Sequence, residues 1–214
     1  LSSDDRLKSI HRYQHIYAFF LYSLMTFSFL WKDFKEIWLY NKMSKSGIVS
    51  RYPAKELFIL IFTKILYLII ILGLPMLLTE LTFLQWFVGF FTMHIVAGII
   101  LSTVFQLAHV VEGAEQPCLN DEGNIENAWA IHQLNTTANF AGKNKLLSWY
   151  IGGLDHQVEH HLFPQISHIH YPKISQIVKK TAEEFGIRYN DKLSFFKGLQ
   201  SHIQMLYNLG HGLA

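Results

Sequence analysis

The segment 152–164, GGLDHQVEHHLFP, combines the side chains with the greatest capacity for chemistry. Three histidines, one amide and two carboxylates stand close together in it: His156, His160, His161, Gln157, Asp155 and Glu159. On a helix, His156 and His160 lie one turn apart on one face, as do Gln157 and His161. Neutral imidazole is a nitrogen ligand that suits iron, zinc, copper and nickel, and a nearby carboxylate can hold the outer ring N–H of such a ligand. The spacing therefore predicts a metal site, and the alternative is a surface patch of histidines.

A second histidine, His132, lies in a predicted helix that includes Asn127, ends at about Phe140 and is capped by Asn124. It shares a polar face with three side chains at helical spacing: Asn135, Thr136 and Asn139. We expect this face to border the same cavity as the metal site, although a solvated helix face would show the same pattern.

The other histidines are weaker candidates. His94 lies inside an apolar stretch. An ionisable side chain there indicates either a function or a hydrogen bond between helices, and the sequence favours neither. His109, with two glutamates after it, lies at the end of the same stretch and near the expected cavity. We expect a loop role for two histidines, namely His168 and His170. Ordinary surface or interfacial positions are expected for four more, namely His11, His15, His202 and His211.

Three apolar stretches must position these histidines. Residues 57–78 and 83–107 are each long enough to cross a bilayer, which needs about 20 apolar residues, and a short turn at 79–82 joins them. Residues 16–31 are shorter and fit either a short span or a helix in the interface. Because lysines flank the hairpin on both sides while the turn contains no Lys or Arg, the positive-inside rule predicts that both flanks are cytoplasmic. Lys64, early in the first span, is expected to snorkel toward that side.

The remaining residues predict a cytosolic cap of helices. From Pro172 onward, apolar residues recur at helical spacing opposite lysines and glutamates, which indicates an amphipathic helix. A last helix is predicted from about Ser194 to Leu209, ending at Gly210. The predicted fold is therefore all-α: a membrane helical hairpin plus an interfacial helix, with a cytosolic helical cap formed by residues 108–214.

Composition excludes several classes of protein. Half of the 214 residues are hydrophobic and 16% are charged, against ~25% charged in an average soluble domain, and the chain is too apolar to be disordered. The net charge of +2 gives no reason to expect a nucleic-acid partner. The single cysteine, Cys118, cannot form a disulfide within the chain. The composition favours an integral membrane protein that has the lipid bilayer as its partner.

At its histidine-rich segment, the sequence resembles the integral-membrane fatty acid desaturase family. Residues 152–164 resemble that family's third histidine box, in a version with Gln157 that is similar to front-end desaturases and bacterial acyl-CoA or acyl-lipid desaturases. Residues 129–140, WAIHQLNTTANF, resemble the helix that supplies one more histidine ligand. Residues 12–15, RYQH, and 105–110, FQLAHV, are also similar to the family, so the resemblance covers essentially the whole chain.

The resemblance implies an iron enzyme. It makes His132, His160 and His161 direct ligands of a di-iron centre, with no catalytic residue beyond the metal ligands. Gln157 stands where a ligand is replaced, and His156 is one residue out of register with the family's first histidine. Further candidates for a ligand or for its hydrogen-bonding partner are His156, Gln157, Asn135, Glu159, Asp155 and His109.

Two features depart from the family's pattern. The first two histidine boxes have no counterpart here, since His11 and His15 have a suitable spacing but precede a hairpin in the wrong context. The chain also begins with Leu1 instead of Met. We therefore expect residues 1–214 to be the C-terminal part of a single desaturase domain, inactive alone, with a di-iron centre completed by residues outside this chain.

The implied reaction removes two hydrogens from a fatty acyl chain, carried on CoA or on a lipid, and leaves a cis double bond. An unactivated C–H bond requires an oxidant made from O2 at iron, with electrons from a ferredoxin or a cytochrome b5-type partner. The alternatives are a di-iron fatty acid hydroxylase of the same superfamily, a membrane zinc hydrolase with one tetrahedral site, and a non-catalytic haem-binding membrane subunit. Since His94 and His109 are about 22 Å apart along one helix, they cannot ligate the same haem.

Overall fold

A computed structural model of the chain describes residues 6–45, 47, 52–117, 120, 123–125 and 127–213. Leu1 and Cys118 lie outside the described residues. The elements are α1 (Gln14–Ser23), α2 (Met25–Lys45), α3 (Ala54–Leu68), α4 (Leu74–Leu78), α5 (Phe83–His109), α6 (Trp129–Thr136), β1 (Asn139–Phe140), α7 (Lys145–Tyr150), α8 (Gln157–Leu162), α9 (Tyr171–Glu184), β2 (Asp191–Lys192) and α10 (Phe195–His211). Short 3-10 helices cover Ser9–Tyr13 and His168–His170, and a π-helical turn covers Ile69–Gly73. Helices dominate the described residues, which confirms the all-α prediction.

The chain divides into two compact units, which are described separately. Residues Phe20–Ile100 form the first, called here the hairpin unit. Residues Leu1–Phe19 and Leu101–Ala214 form the second, called here the histidine unit because it holds every candidate iron ligand.

The hairpin unit contains the first predicted span and most of the second, up to Ile100. Among the described residues, Ala54–Leu78 and Phe83–His109 are the helical runs long and apolar enough to cross a membrane. None of the most apolar stretch of Ala54–Leu78 is buried inside the protein. An exposed apolar surface of that size is unusual on a soluble monomer, so both predicted spans are confirmed as candidates for lipid contact.

Pro75 shapes the first span, and the carbonyl that it leaves without its usual partner bonds to the second span. In a regular helix the Ile71 carbonyl would accept the N–H of residue 75, and Pro75 has none. The π-helical turn precedes this proline, and the indole N–H of Trp86 donates to the Ile71 carbonyl over 2.7 Å. Because an unsatisfied backbone group is costly in lipid, this bond favours one register between the two spans.

His94 of α5 forms a closed set of hydrogen bonds between three helices. Thr26 Oγ1 donates to the His94 carbonyl over 2.8 Å and lies 3.0 Å from His94 Nδ1. Since the single hydroxyl hydrogen of Thr26 is used in the first bond, Nδ1 must be the donor in the second. His94 Nε2 then accepts the hydroxyl hydrogen of Tyr67 over 2.8 Å. Of the two interpretations of His94, the structure therefore shows the hydrogen bond between helices. Because both ring nitrogens of His94 are hydrogen-bonded, neither is left to ligate a haem.

We expect Tyr67→Phe to weaken the packing of this unit. The change leaves His94 Nε2 without its donor, and hydrogen bonds between membrane helices average about 0.6 kcal/mol and reach about 2 kcal/mol. Unfolding of the detergent-solubilised protein measures the loss. Thr63→Val is the matched control, because the Thr63 hydroxyl bonds carbonyls of its own helix. Equal stability of the two variants would contradict the assignment.

Residues 16–31 do not form one helix. The chain breaks at Leu24, between α1 and α2, and the described residues offer no third span, so the short-span alternative is not supported and the interfacial position stays a prediction. At the break, a Cβ on Gly98 would lie 2.7 Å from the Ser23 carbonyl oxygen. The glycine therefore lets α5 approach this backbone closely. The side chain of Lys64 forms an ion pair, with its Nζ 2.7 Å from Asp33 Oδ2.

The histidine unit packs its short helices around apolar clusters, and two of these clusters lie next to the candidate ligands. One cluster joins the end of α5 to β1 through Leu107, Ala108 and Phe140, which are fully buried. The other cluster places Val158 of α8 between Leu134 of α6 and Val178 of α9. Helix α8, which carries the paired histidines, is thus held between two other helices. The amphipathic helix predicted from Pro172 is confirmed as α9.

The predicted helix at 127–140 is too long. Helix α6 ends at Thr136, and Asn124 does not cap it, since the residue before its first turn is Ala128. The chain is extended beyond Thr137, where Asn139 and Phe140 form β1 and pair in parallel with β2. These residues bond to other backbone segments, as in the 2.8 Å bond from Ala138 N–H to the Ala108 carbonyl. Tertiary pairing therefore overrides the local helical pattern.

Helix α10 also differs from its prediction. It continues past Gly210 to His211, and Gly212 ends it in the left-handed conformation at φ +67°. The expectation that His202 occupies an ordinary surface or interfacial position is wrong. Its side chain is fully buried, and Nδ1 lies 2.6 Å from the Val110 carbonyl oxygen.

Candidate metal centre

Helix α8 carries two adjacent histidines, and one of them, His161, packs against a third from α5. The ring centroids of His160 and His161 are 5.8 Å apart, and those of His161 and His109 are 5.1 Å apart. We call these three rings the imidazole cluster. His161 thus lies in contact with the other two rings, and imidazoles supply the nitrogen ligands that iron, zinc and copper accept.

Two side chains from other helices orient the rings of this cluster. Gln133 of α6 accepts from His161 Nδ1 over 2.9 Å, which leaves His161 Nε2 as the unprotonated nitrogen. The Tyr171 hydroxyl, at the start of α9, lies 3.4 Å from His160 Nδ1. Such partners fix the donor nitrogen of a metal ligand. Neither was expected from the sequence, because 28 residues separate Gln133 from His161 and no spacing rule joins them.

Burial keeps His161 unprotonated. Burial, together with the smaller effect of the neighbouring imidazoles of His109 and His160, lowers the pKa of His161 from 6.5 to about 4. A metal ligand must be the neutral form of the ring. At neutral pH, His161 is therefore ready to bind a metal without first losing a proton.

We expect the metal-free protein to lose stability as the pH falls from 6.5 to about 4. In this window the unfolded chain protonates His161 while the folded chain does not, so acid favours the unfolded state; above 6.5 neither state carries the proton and the penalty vanishes. Thermal unfolding between pH 4 and pH 7 measures the effect. His161→Gln removes this titration and should flatten the profile relative to the unchanged protein. Parallel profiles for the two proteins would contradict the assignment.

His132 stands apart from the imidazole cluster in the part of the chain that the structure describes. Its Nδ1 is buried and has no hydrogen-bond partner among the described residues, as expected of a nitrogen whose partner is a bound group. Asn135, on the same helix, turns to another partner and donates to Glu115 Oε2 over 3.1 Å. The structure thus supports a free donor on His132 without placing it beside the other rings.

The remaining predicted candidates lie at or next to the start of α8. His156 is buried just before the helix, with Nε2 3.8 Å from Asp155 Oδ2 and Nδ1 3.7 Å from Glu159 Oε2. Burial alone would lower the pKa of His156, but these two carboxylates outweigh it and raise that pKa. Gln157, the first residue of α8, faces the imidazole cluster, with its Nε2 3.4 Å from His161 Nε2. Gln157 is thus near the imidazole cluster, whereas His156 sits among carboxylates.

The donors present fit iron in their type but do not close a site. Among the described residues, no three His, Cys, Asp or Glu side chains are grouped closely enough to hold one metal ion. Imidazole nitrogens, such as those of the imidazole cluster and the free Nδ1 of His132, are nonetheless the type of donor that a non-haem iron site uses.

Comparison with known proteins places these residues in a family. A family model described as "Fatty acid desaturase" matches residues 2–193. The chain is 36% identical over 211 residues to the sn-1 linoleoyl-lipid 6-desaturase of Synechocystis sp., covering 98% of this chain and 58% of that protein. It is 33% identical to the protein of the same name from Arthrospira platensis, covering 92% of this chain and 52% of that protein.

A third relative is matched over a similar share of this chain. The acyl-lipid (8-3)-desaturase of Physcomitrium patens is 32% identical to this chain over 203 residues, covering 94% of this chain and 41% of that protein. The chain thus spans about half the length of the curated relatives it matches. No solved structure matches it.

Proposed function

The chain belongs to the fatty acid desaturase family, and on that premise we propose that it serves in the O2-dependent introduction of a cis double bond into a fatty acyl chain. The observation that carries the proposal is the imidazole cluster, in which His161 lies against both His160 and His109 and is held unprotonated. The family is consistent with an iron cofactor, and neutral imidazoles are ligands that iron accepts.

A pair of iron ions is the proposed cofactor. His132, His160 and His161 are its proposed ligands from this chain, with His109 joining them because of its contact with His161. When bound, iron supplies the activation of O2 that an unactivated C–H bond requires. The curated relatives are nearly twice as long as this chain, and we propose that residues outside the chain complete the ligand set.

The reaction balances with an outside source of electrons. One acyl CH2–CH2 unit, one O2, two electrons and two protons give one CH=CH unit and two waters. We propose a ferredoxin or a cytochrome b5-type protein as the electron donor, and an acyl-lipid or acyl-CoA as the substrate. Two of the relatives are named for linoleoyl-lipid substrates, which favours the lipid form.

The two apolar helical runs and the family indicate a membrane protein. We propose that the histidine-rich face is cytoplasmic, because lysines flank the hairpin on both sides and its turn, at 79–82, has no Lys or Arg. By the positive-inside rule, such a turn lies on the opposite side of the membrane.

Expression of the complete protein in a host supplied with deuterated fatty acids tests the function. The expected product has two hydrogens fewer than the substrate and a cis double bond, as read by mass spectrometry. A product with one added oxygen would replace the proposal with a hydroxylase. Metal analysis of the purified protein should find iron, and zinc in its place would favour a hydrolase.

A further inference from the structure

Helix α8 carries two proposed ligands but is only six residues long. A helix of this length is not held by its own hydrogen bonds. Within the described residues, His156 at its start makes no side-chain cap bond to it. The directions of the His160 and His161 rings must therefore be set by groups that bind α8 from elsewhere in the fold.

Asn139 of β1 supplies the missing cap from outside the helix. Its Oδ1 accepts the first-turn N–H of Val158 over 2.9 Å, across 19 residues of chain. Its Nδ2 donates to Glu159 Oε2 over 2.7 Å and to the Tyr189 hydroxyl over 2.7 Å. One amide thus binds both the backbone and a side chain of the first turn of α8.

The Tyr189 hydroxyl closes the network. It donates to Glu159 Oε1 over 2.8 Å, so both carboxylate oxygens of the fully buried Glu159 are bonded. Both N–H groups of the Asn139 amide are used, and turning the amide over would point its oxygen at the carboxylate. Every donor therefore meets an acceptor in one arrangement only, and such a fully satisfied buried network is rigid.

The backbone that carries Asn139 is itself fixed. Asn139 N–H donates to the Asn190 carbonyl over 2.9 Å, next to the pairing of β1 with β2. Phe140 N–H donates to the Asp155 carbonyl over 3.0 Å, which ties β1 to the segment before α8. Burial and the charge of Glu159 also raise the pKa of Tyr189, so its hydroxyl remains a donor.

We propose that Asn139 and Tyr189 are positioning residues that clamp Glu159 and the first turn of α8, and thereby aim the rings of His160 and His161. This inference rests on the proposed role of those histidines as iron ligands. Adjacent residues on a helix diverge by about 100°, so a carboxylate fixed on one side of α8 sets the angle at which the next two side chains leave it.

The test compares Tyr189→Phe and Asn139→Ala with a matched control in the metal-free, detergent-purified complete protein. Gln14→Met is the control, because Gln14 is as buried as Asn139 and its Nε2 donates to the Leu206 carbonyl over 2.6 Å, on elements other than α8. The first measurement is hydrogen exchange of amides 157–161. Each variant is measured at the same interval below its own unfolding temperature. We expect exchange several-fold faster in the two clamp variants than in the control.

Cobalt(II) then reports on the site, because its visible absorption depends on ligand geometry. We expect the clamp variants to bind cobalt about tenfold more weakly, the low end of the ~10–100-fold range for residues that support metal ligands, with an altered spectrum. Exchange and cobalt spectra equal to those of Gln14→Met would overturn the clamp. If the unchanged protein binds neither cobalt nor iron, while the clamp variants still exchange faster than Gln14→Met, the proposed function is overturned and the clamp stands.

Discussion

His160→Ala and His161→Ala are each expected to abolish formation of the double bond by the complete protein. The two rings touch each other, and His161 also touches His109, so each change removes a nitrogen donor from the centre of the imidazole cluster. Losing a residue that only supports a metal ligand costs about 10–100-fold in activity or metal affinity, and losing the ligand itself should exceed this range. Product formation from deuterated acyl substrate and bound iron per protein are the two measurements.

His170→Ala is the matched control for these variants. His170 follows the paired histidines closely in sequence but is exposed in the 3-10 helix His168–His170. It should retain activity and bound iron. Full activity in His160→Ala, or equal losses in all three variants, would contradict the assignment of the cluster as the metal centre.

The sequence could predict the elements whose cause is local. The first apolar run was predicted as 57–78 and is observed as Ala54–Leu78, because length and hydropathy alone determine such a helix. Helix α9 was predicted from its repeating apolar residues, which depend on neighbours three and four positions away. The adjacency of His160 and His161 is likewise visible in the chain itself.

The sequence could not predict contacts between distant segments. Asn139 was expected on a helix and is observed in β1, because its backbone pairs with residues near position 190. The spacing of His156 and His160 suggested one face of one helix, but His156 precedes α8 and is drawn between Asp155 and Glu159. His109 shows the converse, since its contact with His161 spans 52 residues that no periodicity links.

Phe140→Ala is expected to destabilise the histidine unit by about 3–5 kcal/mol, as truncation of a buried aromatic side chain does. Phe140 is fully buried against Leu107 and Ala108. Helix α10 crosses it at Gly198, where a Cβ would lie 3.4 Å from Phe140 Cβ. This close approach leaves little freedom for the backbone to collapse into the space, so most of the cavity should remain.

Guanidinium unfolding in detergent, followed by circular dichroism, measures this loss. Phe196→Ala is the matched control, because Phe196 is 78% exposed and surface changes usually stay within about 0.5 kcal/mol. Phe140→Leu fills part of the cavity and should fall between the two. Because Phe140 directly follows Asn139, the cavity should also loosen the strand that clamps α8 and speed hydrogen exchange of amides 157–161. Equal stability of Phe140→Ala and Phe196→Ala would show that the core beneath the histidines lies elsewhere.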